Sequence, residues 1–479
     1  MSRFDLFPSL SHSIVFPSLF IVTSVVFLFF VSSSPPPSKN LPRVYPIVGS
    51  YSSYFANIKW WLDWTADLVR NTPSATYVFH RPLCNRQVFT GNPASEKGEV
   101  FKMTLQDILG EEIFNIDGES WKFQRQVASH KFNTRSLQKF VETIVDAELN
   151  DRLMPLLAFA AKSGSVIDMQ DILQRFAFDN ICKIVFGYDA EYLSPSLPQP
   201  RAKFAEAFED AVRISSGRFR EFSSVIWRIK RFFNVGSEKC LRIVTSEIPA
   251  DDLLLQFLSS GHSDEDFIID IVISFILAVQ DTMSAALTWY FWLLHKNPEV
   301  EAKVPGEIIE KSNAHAAEYD DVKEMVYRHA SLRESMRFYP PVPIDVKEAV
   351  RDDVLEDGTV LKKGMRVTYH LYAMGRLEQL WGKDWPEFRP ERWLRGAEDG
   401  SEKWEFINRD PFAYPVFQAG PRVCLGKEMV SPQMKRMVAR VLQQFRVVPV
   451  PEEGKEPVFI SYLSSKMKGG FPVRIEVRK

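Results

Sequence analysis

The stretch from Ser263 to Lys296 constrains the fold of this chain more than any other part of the sequence. Its middle, IVISFILAV, is apolar on every side of a helix, so this helix is either buried all round or lies in a membrane. Ser263 is a suitable N-cap, and Asn297-Pro298 ends the pattern. Because the apolar run is short for a bilayer span and is flanked by aspartates, it predicts the buried central helix of a large helical body.

The rest of the chain supports a mainly α fold with small antiparallel β-sheets. Helical periodicity dominates from Gly118 to about Arg337. Between Lys347 and His370 short alternating runs separated by turn residues predict a small antiparallel sheet. The segment Val458–Val477 predicts a final strand pair, with Gly469-Gly470 near its turn. No internal repeat or further linker interrupts this region, so residues 47–479 are predicted to form one unit.

Composition excludes several classes of protein. Hydrophobic residues make up 45% and charged residues 25% of the 479-residue chain, which is ordinary for a globular protein and argues against disorder or a many-span transporter. The formal net charge is only -2, so no overall positive field attracts nucleic acid.

The N-terminal region differs from the body. From Ile14 to Val31 the chain is uncharged and apolar, long enough to span a bilayer core as one helix. We expect residues 1–34 to form a membrane anchor and residues 35–46, rich in proline, to form a stiff spacer. Lys39 and Arg43 follow the span, which places the body in the cytosol. A cleaved signal peptide remains the alternative, because the residues after the span are small serines.

Four cysteines, Cys84, Cys182, Cys240 and Cys424, lie far apart without a C-x-x-C pair, which argues against a disulfide framework or a zinc site. For Cys182 and Cys240 the surroundings predict small buried thiols. Only the context of Cys424 indicates chemistry.

Cys424 lies in the segment FQAGPRVCLG. Its glycines permit a tight loop, Arg422 supplies positive charge, and a helix that begins just after Cys424 would direct its N-terminal amides at the sulfur. These features favour an ionised thiolate that binds a metal. Taken alone, the same segment could also be a helix-capping loop with a buried cysteine.

Three other groups are ambiguous when each is considered by itself. Glu334 and Arg337, three residues apart, form either an exposed helix pair or a buried pair that needs a third partner. Trp121 and Arg125 could simply lie on an amphipathic helix face. Thr282, in the middle of a helix, would normally donate a hydrogen bond back to the carbonyl four residues earlier.

Together these motifs resemble those of the cytochromes P450. The pattern F-x-x-G-x-R-x-C-x-G, the haem-binding signature of that family, is matched here at Phe417, Gly420, Arg422, Cys424 and Gly426. The resemblance implies haem b with Cys424 as the axial ligand of the iron. It also implies the fold of that family.

The resemblance assigns roles to the ambiguous groups as well. Trp121 and Arg125 match a pattern that reaches a haem propionate. Arg392, in FRPERW, would complete a charge network with Glu334 and Arg337. Asp281 and Thr282 stand at the positions of an acid and an alcohol that relay protons during oxygen activation.

More closely, the sequence is similar to the plant P450s that hydroxylate the omega carbon of fatty acids, whose relatives include enzymes that oxidise jasmonoyl amino acids. This implies an NADPH-dependent P450 reductase as the electron donor and a place in the endoplasmic reticulum membrane. Pocket residues carried over by position are Phe275, Ala278, Val279, Ile344 and Leu463. Lys427, Lys435 and Arg436 would lie near the cysteine face, either as a docking site for an acidic donor or as a solvated basic surface.

Three departures from the family pattern bear on activity. Val279 stands where the family has glycine, so its side chain would enter the space needed by oxygen and water. The segments Asn92–Leu105 and Ser246–Asp252 look shortened. These departures favour one alternative to a fatty-acid hydroxylase, a catalytically impaired or truncated haem protein. A hydroxylase of a jasmonoyl-type conjugate is a second alternative. A thiolate-haem isomerase that rearranges peroxides without a reductase is a third, against which Asp281 and Thr282 indicate oxygen activation.

Overall fold

The structure is a computed structural model. It describes residues 42, 44, 49–80, 86–90, 99–132, 135–187, 189–194, 203–220, 224–247, 274–311, 325–396, 404–450 and 456–478. The predicted anchor and most of the spacer lie outside these residues, as do the N-cap at Ser263 and most of the two segments that look shortened. Within the described ranges, no helix is both long enough and apolar enough to cross a bilayer.

Helices form most of the described chain. In chain order they are α1 (Tyr51–Ala56), α2 (Trp61–Arg70), α3 (Glu99–Leu109), α4 (Gly118–Phe132), α5 (Arg135–Glu148), α6 (Met154–Ser163), α7 (Met169–Phe186), α8 (Lys203–Gly217), α9 (Ser224–Phe232), α10 (Gly236–Glu247), α11 (Thr282–Lys296), α12 (Pro298–Lys311), α13 (Val326–Phe338), α14 (Leu371–Met374), α15 (Glu378–Trp381) and α16 (Lys427–Gln444). Turns of π-helix, Leu149–Leu153 and Leu277–Asp281, lead into α6 and α11.

The strands are short. They are β1 (Thr76–His80), β2 (Arg86–Thr90), β3 (Ile167–Asp168), β4 (Asp345–Glu348), β5 (Asp353–Val354), β6 (Val360–Leu361), β7 (Arg366–Tyr369), β8 (Leu394–Gly396), β9 (Trp404–Phe406), β10 (Phe445–Pro449), β11 (Phe459–Ser461), β12 (Ser465–Met467) and β13 (Pro472–Val477). The mainly α fold with small sheets is thus confirmed.

The four-stranded sheet has the order β1-β2-β7-β4. Its pairings β1-β2 and β4-β7 are antiparallel, the second in the region where Lys347 to His370 predicts an antiparallel sheet, but β2 and β7 run parallel. The N-terminal hairpin β1-β2 is therefore part of the same sheet as β7 and β4, which come much later in the chain. The small pairs β5-β6, β8-β9 and β11-β12 are antiparallel.

The central helix is confirmed where the structure describes it. Every residue of α11 from Met283 to Leu294 is buried, and the helix ends at Lys296. The Trp289 ring stacks on Tyr339 with ring centroids 4.0 Å apart, and the Tyr290 hydroxyl lies 3.0 Å from the Ser331 hydroxyl. An apolar helix buried on all sides contributes most of its stabilisation through packing, which fixes its position inside the body.

The prediction that Val458–Val477 forms one final strand pair is wrong, because the strands in this segment pair with different partners. β11 pairs with β12, whereas β13 pairs with β10 and β3. Gly469 and Gly470 both have φ of +85°, and they lead the chain away from β12 rather than folding it back. A Cβ at Gly470 would overlap the Asp168 carboxylate, so this glycine permits close approach of two distant segments.

Candidate active site

The described residues enclose a cavity of about 430 Å³ whose wall is mainly apolar. The wall is assembled from the N-terminal helices, from the π-helical turn before α11, from the loop before α16 and from the β11-β12 turn. Aromatic side chains supply much of it: Trp61, Trp64, Phe79, Phe101, Phe114 and Phe219. A cavity of this size and character suits an apolar ligand or cofactor.

The loop before α16 presents Cys424 to the cavity. The amide of Cys424 donates to the carbonyl of Phe417 at 2.7 Å, which closes the loop across the intervening residues. Gln418 and Gly420 have φ of +62° and +67°, so the tight turn is made in the left-handed region. Positive φ at a residue other than glycine is costly and is typical of a functional loop.

The surroundings of the sulfur act in opposite directions. Cys424 is accessible from the cavity, but desolvation by the surrounding protein raises the pKa of its thiol, while hydrogen bonds from the amides of Gly426 and Lys427 lower it. The charges of Arg125 and Lys427 lower it further. Because α16 begins at Lys427, these amides belong to the N-terminus of a helix, where an anion is stabilised. The loop is therefore built to hold a thiolate once a cation lies in front of it.

Two arginines and one tryptophan form a cationic edge of the same cavity. The guanidinium of Arg422 lies 4.4 Å from the centre of the Trp121 ring, and that of Arg125 lies 5.6 Å from it. Arg125 donates to the carbonyl of Val423 at 2.6 Å, and Arg422 donates to the carbonyl of Ile116 at 3.0 Å. Burial lowers the pKa of Arg125, which marks a cation that an anion would stabilise.

A second wall of the cavity comes from the π-helical turn Leu277–Asp281 and the start of α11. Ala278, Val279 and Thr282 line the cavity here. The Thr282 hydroxyl donates to the carbonyl of Ala278 at 2.6 Å, the bond expected of a threonine inside a helix. Val279 is only 4% exposed. Turns of π-helix often occur at functional sites, because the extra residue re-aims the side chains around it.

Asp281 lies behind this wall and is buried. Its carboxylate accepts a hydrogen bond from the Ser464 hydroxyl at 3.0 Å, and the ammonium of Lys466 lies 3.9 Å away. Burial raises the pKa of Asp281, Glu209 raises it further, and Lys466 and Ser464 oppose this. A carboxyl group in such an environment holds a proton at a higher pH than an exposed aspartate does.

Glu334 stands at the centre of a separate buried network beside α13. It accepts hydrogen bonds from the side chains of Arg337, Arg392 and Trp393 at 2.8–2.9 Å, and from the Arg389 amide at 3.0 Å. Arg337 also donates to the carbonyls of Gly375, Trp385 and Glu387. The structure thus places Arg392 as the third partner that a buried Glu334–Arg337 pair needs.

Comparison with known proteins identifies the family. The family model for cytochrome P450 matches residues 71–471. The chain is a cytochrome P450. It is 55% identical over 471 residues to cytochrome P450 94A1 of Vicia sativa, covering 91% of each chain. It is 51% identical over 505 residues to cytochrome P450 94A2 of the same plant, covering 96% of this chain and 97% of the relative.

A third relative, cytochrome P450 94B1 of Arabidopsis thaliana, is 42% identical over 476 residues and 92% of each chain. The alignment with 94A2 extends over 505 residues although this chain has only 479. It therefore contains positions that this P450 lacks, which agrees with shortened segments without locating them.

The residues around the cavity fit the haem that the family implies. The cavity is apolar and has a thiol on its wall, and the sulfur accepts hydrogen bonds from helix N-terminal amides, so Cys424 would hold the haem iron as a thiolate. Within the cationic edge, Arg125 beside Trp121 suits the carboxylates that the haem carries, whereas Arg422 is already paired with Asp117 at 2.5 Å. Phe417 and Gly426 also line the cavity, whereas Gly420 acts through the loop conformation.

All the pocket residues carried over by position line the cavity, and the structure adds others. The set named from sequence is Phe275, Ala278, Val279, Ile344 and Leu463. Tyr462, Pro341 and Arg366 join them. No local pattern marks these three, because they reach the cavity only through the packing of the β11-β12 turn and of the segments around the four-stranded sheet.

Two sequence predictions need correction. Arg436 does not present its charge to a partner, because it is buried and paired with Asp146. Lys435 is partly buried, and burial lowers its pKa to about 8, so Lys427 is the more accessible cation of the three.

Cys182 is buried as predicted, but Cys240 is exposed because α10 turns Glu238 and Leu241 inward instead.

Proposed function

We propose that this P450 hydroxylates the terminal carbon of long-chain fatty acids. The supporting observation is one apolar cavity that brings together the Cys424 sulfur, the Thr282 hydroxyl and an aromatic wall. In the overall reaction the substrate gains one atom of O2, the other atom leaves as water, and an NADPH-dependent reductase supplies two electrons. Each methylene buried in such a wall contributes about 0.8 kcal/mol, so affinity grows with chain length.

The protein's own residues hold the substrate and supply protons. When bound, haem would supply the oxygen-activating iron, with Cys424 as its thiolate ligand and Arg125 and Trp121 at its carboxylates. The Thr282 hydroxyl donates to the carbonyl of Ala278 and must turn away from it to offer a proton to the cavity. Asp281, one residue earlier, is a buried carboxyl whose proton can replace that of Thr282.

The direct test begins with the reduced carbon-monoxide difference spectrum, which establishes a native thiolate haem. Incubation with reductase, NADPH and lauric or oleic acid should then give the omega-alcohol. Cys424→Ala should abolish both the spectrum and the product. Intact haem without any omega-alcohol would reject the proposal.

Two further incubations decide between the substrate classes. Product from a jasmonoyl amino acid in preference to a free fatty acid would move the substrate class to conjugates. Conversion of a fatty-acid hydroperoxide without NADPH would indicate an isomerase instead.

A second candidate, a haem protein with impaired turnover, is favoured by Val279. This side chain is buried and lines the cavity beside Thr282. Val279→Gly should raise turnover about tenfold if the isopropyl group blocks oxygen or water, and Val279→Ala should give a smaller rise. The glycine lowers helix propensity relative to valine and removes a buried isopropyl group, and both changes destabilise the fold, so haem content is measured in parallel. Unchanged turnover per haem would reject this explanation.

We also propose that residues 1–34 anchor the protein in the endoplasmic reticulum membrane with its body in the cytosol. The supporting feature is the uncharged run from Ile14 to Val31, followed by Lys39 and Arg43. Deletion of residues 1–34 should release the protein from microsomes, while protease added outside intact microsomes should digest the body of the full chain. A body protected inside the vesicles would contradict the proposal.

A further inference from the structure

Asp281 is held by residues from a distant part of the chain. The β11-β12 turn carries Ser464, which donates to the Asp281 Oδ2 atom at 3.0 Å, and β12 carries Lys466, whose Nζ atom lies 3.9 Å from Oδ1. Ser464 is 2% and Asp281 is 3% exposed. A buried carboxylate with one hydroxyl donor and one ammonium at the limit of contact is sparsely compensated.

The Lys466 ammonium is shared between two acids. It lies 3.2 Å from the Glu209 Oε1 atom, closer than to Asp281. The side chains of Lys466 and Glu209 are 16% and 26% exposed, so this pair connects the buried carboxyl to the surface beside α8. In the described part of the chain, Lys466 and Glu209 are the ionisable groups that act on Asp281, with opposite signs.

We propose that Ser464 and Lys466 are positioning residues for Asp281, and that Glu209 controls how much of the Lys466 charge reaches it. The three side chains fix where the Asp281 carboxyl lies and in which pH range it carries a proton. This inference rests on the proposed function only in taking Asp281 as the proton donor, because the contacts themselves are independent of any substrate.

The arrangement predicts shifts of opposite sign from two neighbouring substitutions. Lys466→Met removes the cation that favours the carboxylate, so the midpoint of Asp281 protonation should rise by about one pH unit or more. Glu209→Gln removes an anion that raises the pKa of Asp281 and leaves the Lys466 charge less neutralised, so the midpoint should fall. Ser464→Ala removes one hydrogen bond and should raise the midpoint less than Lys466→Met does. A role in packing alone would not give opposite directions.

The measurement is an infrared titration of the ferric holoenzyme containing isotope-labelled aspartate. The band of protonated Asp281 is assigned by its loss in Asp281→Asn. Lys466→Arg, which keeps the charge, should restore a midpoint near that of the wild type. Lys468→Met, on an exposed lysine two residues further along the chain, is the matched control and should leave it unchanged.

Shifts in the same direction for Lys466→Met and Glu209→Gln, or none in either, would overturn the proposal. If Lys466→Met does not fold, Glu209→Gln decides alone, because its side chain lies near the surface. The titration needs no substrate. Opposite shifts without fatty-acid hydroxylation would therefore reject only the proposed function, and hydroxylation without the shifts would reject only this assignment.

Discussion

Two buried carboxylates in this P450, those of Glu334 and Asp281, differ in how many hydrogen-bond and charge partners surround them. Glu334, 0% exposed, receives hydrogen bonds from two guanidiniums, an indole and an amide. Asp281, 3% exposed, receives one from a hydroxyl and has an ammonium only at 3.9 Å. Removal from water costs both carboxylates free energy, but only for Glu334 do hydrogen bonds and opposite charges offset that cost fully.

The difference separates a structural anchor from an acid that can exchange a proton. A carboxylate surrounded by charge-assisted hydrogen bonds is fixed in place by them. A sparsely paired one, as at Asp281, has a raised pKa and therefore keeps its proton to a higher pH than an exposed aspartate does. Breaking the first site should cost stability, whereas altering the second should change pH dependence.

The largest effect should follow Glu334→Gln, which removes the counter-ion of the buried Arg337 and one of the two acids paired with Arg392, the other being Asp384. We expect a loss of about 3–5 kcal/mol in the free energy of unfolding, measured by urea denaturation. Glu405→Gln is the control, because Glu405 pairs with Arg395 at 3.1 Å on the surface, where both side chains are about 60% exposed. That change should cost less than about 1 kcal/mol. Equal losses in the two variants would show that Glu334 is no anchor.

A smaller loss should follow Gly375→Ala, which disturbs the same network through the main chain. A Cβ at Gly375 would overlap the carbonyl oxygen of Arg337, and the Gly375 carbonyl itself accepts from that arginine. We expect destabilisation of about 1–3 kcal/mol. Gly306→Ala, in α12 where a Cβ meets nothing within 4 Å, should instead stabilise by about 0.5–1 kcal/mol. The same sign in both would contradict the steric explanation.

A third effect concerns Asp281 and depends on pH. Because burial raises its pKa in the folded state, its contribution to stability is present below the ordinary aspartate pKa and is lost as pH rises through the raised value. Asparagine has no carboxyl group to titrate, so Asp281→Asn does not lose this contribution. The free energy of unfolding of the variant minus that of the wild type should therefore increase with pH, by about 1.4 kcal/mol for each unit by which the folded-state pKa of Asp281 is raised. Urea denaturation of both proteins across this range is the measurement. A constant difference would contradict a raised pKa.

Sequence reasoning could predict the parts of the site that local motifs define. The Thr282 bond to Ala278 follows from helix geometry, and the place of Arg392 beside Glu334 follows from the order of the family's motifs. The buried central helix follows from a run of apolar residues that has no polar face. These features depend on neighbours within a few residues, or on a pattern shared by the whole family.

Tertiary packing decides the rest. The Ser464 contact with Asp281 joins residues 183 positions apart, and nothing in either segment indicates the other. The π-helical turn adds one residue per turn without a compositional signal. The sequence indicates a hairpin turn at Gly470. In the folded chain, its missing side chain instead leaves room for the Asp168 carboxylate, a constraint that the sequence does not show.

The pairing of early and late strands has a consequence for biosynthesis. β2 pairs in parallel with residues 366–369, and β3 (Ile167–Asp168) pairs with residues 472–473. During translation, the first hairpin lacks its parallel partner until residues 366–369 are made, and β3 lacks its partner until residues 472–473 are made. Newly made chains therefore expose unpaired edges for a long interval, which makes them candidates for chaperone binding and sensitive to premature termination.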